Sequence, residues 1–354
     1  QGKSLQNLTE TKTNRNPINP TGWVILFLLF WSVPLFGNLS LPPIFSDHMV
    51  LQQNEEITIW GWGKPQEKVT LKASWAAEEY KTEVNNQAHW AVKIRTPKAG
   101  GPHELIIMGY NSISLKDILI GEVWLCSGQS NMEWSANMKI DNAEKEIEDA
   151  HYPNIRFFSV HNRTALQPQI DLGGDGWAAC SPETMKHFSA VAYFFARKLQ
   201  KELEVPVGLI NASWGGTPIE VWMPGQVVEE DAFLKAAAEQ LIDVPWGPID
   251  PGKAYNAMIA PLVNFNIAGA IWYQGESNTR NPFAYKEMLT ALTGAWRRLW
   301  KKDFPFYFVQ IAPYQYDSPL IGAIVRDEQR QALEIPNTVM VVTIDIVNIS
   351  DIHP

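Results

Sequence analysis

Leu125-Cys126-Ser127-Gly128-Gln129-Ser130-Asn131-Met132-Glu133-Trp134 follows an apolar run, residues 118–125, with the length and composition of a buried strand. Small and polar residues then make a turn, and the segment after it can open a helix. A serine at such a strand-to-helix turn stands on a rigid base. Its hydroxyl projects above the sheet edge, and helix N–H groups face any negative charge that forms there. That is a nucleophile's position. Gly128-Gln129-Ser130-Asn131 is equally good turn chemistry, and serine often caps a helix. The stretch is not a Gly-x-Ser-x-Gly elbow, because Met132 stands where the second glycine would be. Its meaning depends on what the rest of the chain places around it.

Downstream, apolar strand candidates recur at 155–160, 207–211, 268–273, 306–311 and 338–344. Helical stretches lie between them. Phe188, Val191, Ala192, Phe195 and Leu199 recur at helical spacing, as do Tyr285, Met288, Leu289, Leu292, Trp296 and Leu299. Both stripes read as core faces. Apolar strands alternating with amphipathic helices predict an α/β fold with a mostly parallel sheet covered on both faces, from about residue 116 onward.

Ligands of an open parallel sheet bind beyond the carboxyl ends of its strands. Four of those ends carry polar stretches: Gly128 to Asn131, Ser213 to Glu220 with Trp214, Gly215 and Gly216, Gln274 to Asn278, and the segment with Asp345, Asp351 and His353. The residue types suit acyl transfer. Ser130 needs a base, and a neutral His353 serves near pH 7. Asp351 stands close enough in sequence to orient it, with Asp345 or a backbone carbonyl as alternatives. Gly215 and Gly216 let backbone N–H groups approach an oxyanion, and the Gln274 amide adds a donor. Asn131, Trp214 and Glu276 share these strand ends and are the candidates to contact substrate. Each piece also has an ordinary structural reading, such as a surface histidine, a tight turn or a satisfied polar pair. Their joint placement favours catalysis.

Upstream, residues 38–115 read as a small all-β unit, of sandwich or jelly-roll type. Glu56 to Trp62 alternates, further short strands lie near 69–75, 90–94 and 104–108, and Gly/Pro/Asn turns separate them. Residues 1–37 begin polar and basic and continue into the apolar run 23–31. This is the pattern of a secretory signal peptide, at about 18–37, with an uncleaved N-terminal anchor as the alternative. A secreted or periplasmic protein is expected. The formal net charge of −9, with no long basic run, argues against nucleic acid or an anionic membrane surface as partner. Two cysteines, Cys126 and Cys180, cannot build a zinc cluster alone; they form one disulfide or remain thiols. No phosphate loop, dinucleotide fingerprint or metal motif is present, so neither cofactor nor metal is expected. The 15 tryptophans hint at carbohydrate, because indole faces stack on sugars.

With these residues in hand, the chain resembles the sialate O-acetylesterase family of SGNH-type hydrolases. The matching stretches are Asp47-His48-Met49-Val50-Leu51-Gln52, Gly121 to Glu133, Asn211-Ala212-Ser213-Trp214-Gly215-Gly216-Thr217, Trp272-Tyr273-Gln274-Gly275-Glu276-Ser277-Asn278 and Asp351-Ile352-His353-Pro354. The resemblance implies a flavodoxin-like three-layer α/β/α domain, residues 116–354, with further chain expected past Pro354. It implies Ser130 as nucleophile, His353 as base and Asp351 as orienting acid. Oxyanion donors would come from the backbone near Ser130, Gly215 and Gly216, and from Gln274. The implied reaction is removal of an O-acetyl group from a sugar, most of all O-acetylated sialic acid, through an acetyl-serine. Acetylated xylan or pectin is the alternative substrate, and a non-catalytic carbohydrate binder the alternative function. SGNH enzymes commonly place the acid three positions before the histidine, whereas Asp351 is two before His353.

Overall fold

The computed structural model describes residues 38–316, 318–346 and 348–353. The leader expected over residues 1–37 lies outside them. The chain opens with strands β1 (Val50–Gln52), β2 (Glu56–Trp62), β3 (Lys68–Ala73), β4 (Glu79–Glu83), β5 (His89–Arg95) and β6 (Gly100–Met108). The long β7 (Ser112–Gly128) follows, then α1 (Ser130–Glu133), α2 (Ala143–Glu148), β8 (Tyr152–Val160) and β9 (Gly174–Cys180). After these come α3 (Pro182–Met185), α4 (Ala190–Leu203), β10 (Val207–Ser213), α5 (Gly225–Glu229) and α6 (Ala232–Ala238). The last elements are β11 (Gly269–Tyr273), α7 (Tyr285–Trp300), β12 (Phe306–Val309), α8 (Ile321–Gln331) and β13 (Thr338–Val341).

The fold is mixed α/β around a mixed central sheet, in the order β13-β12-β11-β7-β10-β8-β9. Every pair on this path is parallel except β8 with β9. β9 escapes the sequence reading because Gly174-Asp175-Gly176 is poor strand material. Its place is fixed by the burial of Trp177, whose indole N–H reaches the Ile44 carbonyl at 2.8 Å. From β7 the chain first builds outward to β8, β9 and β10, then crosses to the other side for β11, β12 and β13. The direction of winding therefore reverses at β7, and the crevice beyond its carboxyl end is where such sheets hold ligands.

β7 is 17 residues long and runs unbroken across the boundary expected at 115/116. Its first half pairs with β1 and β6, and its second half with β10 and β11. One hydrophobic cluster continues from Ile57, Leu71 and Ile107 to Trp272, Leu292 and Trp296. The chain from Gly37 onward forms one compact unit. The opposite sheet face has its own cluster, in which Trp124, Cys126, Ile271 and Tyr273 meet Phe188, Ala192 and Tyr193 at α4. The Ser189 hydroxyl caps α4 by accepting from the Ala192 N–H. The Asp47–Gln52 motif is used in this framework. Asp47 accepts from the Lys116 N–H at 2.7 Å, and Gln52 from the Val123 N–H at 2.9 Å. Asp117 is held by His48 and Arg156, at 2.7 Å each, and the Arg156 neighbour keeps its carboxyl below the usual range.

At the far end of the path, β13 exposes Val339 (53%) and Val341 (54%), and Ile344 and Ile346 beyond it are exposed as well. Cys126 and Cys180 are both buried and both free thiols. No helix among the described residues is long and apolar enough to cross a membrane.

Candidate active site

Register places the site. Gly128 of β7 lies level with Ser213 of β10 and Tyr273 of β11. Ser130, Gly215 and Gly275, each two residues beyond these three, therefore leave the sheet at the same level. Gly128 has φ +141°, and a Cβ there would stand 2.1 Å from the Tyr273 carbonyl oxygen, so only glycine fits. This close approach lets the Gln129 N–H donate to that carbonyl at 3.0 Å. The Gln129 side-chain oxygen accepts from the N–H groups of Gly275 (3.3 Å) and Ser277 (3.1 Å), tying the turn to β11.

Ser130 is the first residue of α1 and half-buried. Its N–H is one of the helix-start donors that have no carbonyl of their own. Gly215 lies against it: a Cβ built on Gly215 would be 3.5 Å from that of Ser130. The Gly215 N–H, expected to face an oxyanion, donates instead to Glu133 Oε2 at 2.7 Å, and Glu133 Oε1 accepts from Asn162 at 3.3 Å. The Gly216 N–H makes no hydrogen bond among the described residues. Gly216 has φ +74°, and a Cβ there would strike the Trp246 indole at 2.2 Å. Trp214 is pinned by its ring N–H to the Trp246 carbonyl at 2.9 Å, so the two indoles rim the site.

Gln274 is fully buried and faces inward. Its amide donates to Asn278 Oδ1 (2.7 Å), to Gln129 Oε1 (3.2 Å) and to the Thr217 carbonyl (3.2 Å), and its oxygen accepts from the Tyr285 hydroxyl at 2.9 Å. This differs from the donor expected to point at an oxyanion. Both amide hydrogens are held by buried acceptors, because Gln274 knots the loop ends of β7, β10 and β11 together. Below it, Asn278 donates to Glu220 Oε2 at 2.9 Å, and Asn281 donates to Glu220 Oε1 at 2.6 Å. Burial pushes the Glu220 carboxyl up, while those two amides pull it down.

Asn131 and Glu276 are likewise buried. Asn131 Nδ2 donates to Glu276 Oε1 at 2.8 Å and to the Ile352 carbonyl at 3.0 Å. The two residues expected to touch substrate thus form a clamp on the segment carrying His353. Burial pushes the Glu276 carboxyl up to about 7, against hydrogen bonds from its own N–H and from Asn131. Its Oε2, and the nearby hydroxyls of Tyr273 and Tyr316, are buried and meet no hydrogen-bond partner within ordinary distance among the described residues.

His353 stacks on Trp134, with ring centroids 4.0 Å apart and planes 15° from parallel. Burial lowers its pKa below the usual 6.5, and the Asp351 charge opposes this. Asp351 is exposed and accepts from the His353 backbone N–H at 2.9 Å, so it fixes the main chain at the histidine. Asp345 is exposed and makes no hydrogen bond or ion pair among the described residues. Ser130 and His353 are thus brought to one place by Asn131 and Trp134, with no hydrogen bond yet joining hydroxyl to ring. Sequence reasoning missed Glu133, Trp134 and Trp246. Of these, Trp134 carried a signal, since it stands one helical turn beyond Ser130. No three His, Cys, Asp or Glu residues converge as metal ligands among the described residues.

A family model for carbohydrate esterases, sialic acid-specific acetylesterases, matches residues 120–353. The human sialate O-acetylesterase is 34% identical over 317 residues, covering 82% of this chain and 60% of the human protein. The rat sialate O-acetylesterase is 31% identical, covering 87% of this chain and 69% of the rat protein. The chain thus spans about 60% of the length of the human relative. Among solved structures, a carbohydrate acetylesterase from Xanthomonas citri superposes with a TM-score of 0.81 at 32% identity, over 89% of this chain and 71% of that one.

Proposed function

Because the chain belongs to the carbohydrate esterase family of sialic acid-specific acetylesterases, we propose that it removes O-acetyl groups from sugars, O-acetylated sialic acid foremost. The observation that carries this reading is the clamp, in which Asn131 holds the Ile352 carbonyl beside Ser130 while Trp134 backs the His353 ring.

Ser130 Oγ attacks the acetyl carbonyl as His353 takes the hydroxyl proton. The carbonyl π electrons move to oxygen, and the N–H groups of Ser130 and Gly216 stabilise that charge. Gly215 joins them only when Glu133 releases it. The tetrahedral intermediate collapses, the sugar oxygen leaves with the proton from His353, and acetyl-Ser130 remains. Water, deprotonated by His353, then attacks the acyl carbon, and acetate departs as Ser130 regains its proton. A pKa held below 6.5 keeps His353 neutral and basic at pH 7. Asp351 steadies it through the main chain and by charge. Trp214 and Trp246 offer indole surface to the sugar. In this reading the sheet from β7 to β13 is the SGNH-type α/β/α layer, residues 38–115 are an all-β unit fused to it through β7, and residues 1–37 direct export.

Acetate release from 9-O-acetylated sialic acid, beside acetylated xylan, tests the proposal. Ser130→Ala should lower turnover by about 10⁴-fold or more while leaving circular dichroism unchanged. Undiminished turnover overturns the mechanism. Release from xylan alone overturns the substrate and keeps the chemistry.

A further inference from the structure

The pleat of β2 places Trp60 and Trp62 on the same face of the β2–β5 ribbon, and the register sets them opposite Ala91 and His89. The two indoles stand about 7 Å apart along the strand, and small Ala91 leaves a hollow beside them. Pro261 and Asn264 from the segment before β11, and Gln169 from the loop after β8, close its sides. The result is a cavity of about 420 Å³, within the range of sites that hold small ligands.

The two indoles differ in what holds them. Trp60 is anchored edge-on against Phe45, with centroids 4.5 Å apart. Trp62 belongs to neither hydrophobic core, and among the described aromatic rings its own meets the edge of His89 alone, at 6.2 Å. Its indole N–H has no acceptor among the described residues. A half-buried tryptophan with an uncommitted face and donor is costly to keep unless something covers it. Of the polar groups around it, Asn85 and Gln169 are bonded within their own loops, whereas the Glu83 carboxylate and the Asn264 amide make no hydrogen bond or ion pair among the described residues. Glu83 stands opposite Lys68 in the β3–β4 ladder without an ion pair between them, so its carboxylate stays available to a sugar hydroxyl.

We infer that this cavity is a second carbohydrate site, in which Trp62 stacks on a neutral sugar unit and Asn264 and Glu83 bond its hydroxyls. It is separate from the esterase centre. Pro261 and Asn264 precede the amino end of β11, whereas Gln274 follows its carboxyl end. Five residues of strand, about 16 Å, lie between. The site therefore selects a neutral part of a glycan, away from the ester being cleaved, and it stands whether or not Ser130 is the nucleophile.

Titration calorimetry of the full chain with lactose, xylohexaose and cellohexaose tests this, with free sialic acid as the anionic control. At least one neutral saccharide should bind, free sialic acid should not compete, and Trp62→Ala should weaken binding about tenfold or more. Hydrolysis of p-nitrophenyl acetate should be unchanged in that variant, which keeps a failure here distinct from a failure of the esterase reading. Asn264→Ala, on the opposite wall, should weaken the same saccharide if Trp62→Ala does not fold. No binding of any of the three at millimolar concentration overturns the inference, as does binding that survives both substitutions.

Discussion

Glu276→Gln is expected to remove a fall in stability with rising pH that the burial of Glu276 imposes. Glu276 is 6% exposed, with one oxygen bonded by Asn131 and the other without a partner among the described residues. Tyrosines surround it: Tyr273 from β11, Tyr316 after β12 and Tyr285 from α7, each pushed up in pKa by burial and by the Glu276 charge. Burial raises its own carboxyl from 4.5 to about 7. The folded state therefore keeps a proton that the unfolded chain releases. Below pH 4.5 both states are protonated and ionisation costs nothing. Between 4.5 and about 7 stability falls, and above 7 the loss is complete. Two and a half pH units at about 1.4 kcal/mol each give roughly 3 kcal/mol. Glutamine keeps an acceptor for Asn131 and has no proton to lose. Urea unfolding of both proteins from pH 4.5 to 8 measures the difference, since Glu220 and the other buried groups titrate in both and cancel. The variant should gain roughly 3 kcal/mol over the wild type across that window. Curves that run parallel would refute a buried, proton-holding Glu276. Asn131→Ala removes the donor that lowers this pKa and should extend the fall in stability to higher pH at the same slope.

Trp134→Ala takes away the plate behind His353. Turnover should fall by about tenfold or more with a smaller change in KM, and the acid limb of the pH profile should move to higher pH as the imidazole gains water. An unmoved limb would show that Trp134 does not bury the base. Burial pushes Cys180 up to about 11 and Cys126 higher still. Neither should react with a thiol-disulfide reagent in the native protein at pH 8, and both should react in denaturant; rapid native labelling of either would contradict their burial.

Much of the framework was legible before any coordinates. Strand alternation at Glu56 to Trp62, the apolar run into Leu125, and the two helical stripes each report a local period, and β2, β7, α4 and α7 follow them. The serine's perch at the end of β7 was legible for the same reason. What escaped is long-range. Nothing in the spacing says that Asn131 spends its amide on Glu276 and Ile352, which are 145 and 221 residues away. A polar stretch after a strand reads as an open loop. Here the chain turns inward into a 3-10 helix, Glu276–Arg280, and Gln274 and Glu276 bond within the protein. The Asp47–Gln52 motif posed the opposite problem: it is as distinctive as the serine motif, yet its polar groups secure the middle of β7.

The sheet does not treat its two regions alike. Ser130 follows the innermost strand, where β10 and β11 grip both sides and a slip of one residue is sterically blocked at Gly128. The sheet's margin is different. β13 presents valines to solvent along an outer strand, followed by two exposed isoleucines, with neither a lysine nor a proline among its four residues to discourage a neighbour. Such an edge is a template for another strand. Among the described residues, the sheet is thus fixed most tightly at its centre and left most open to a further strand at β13.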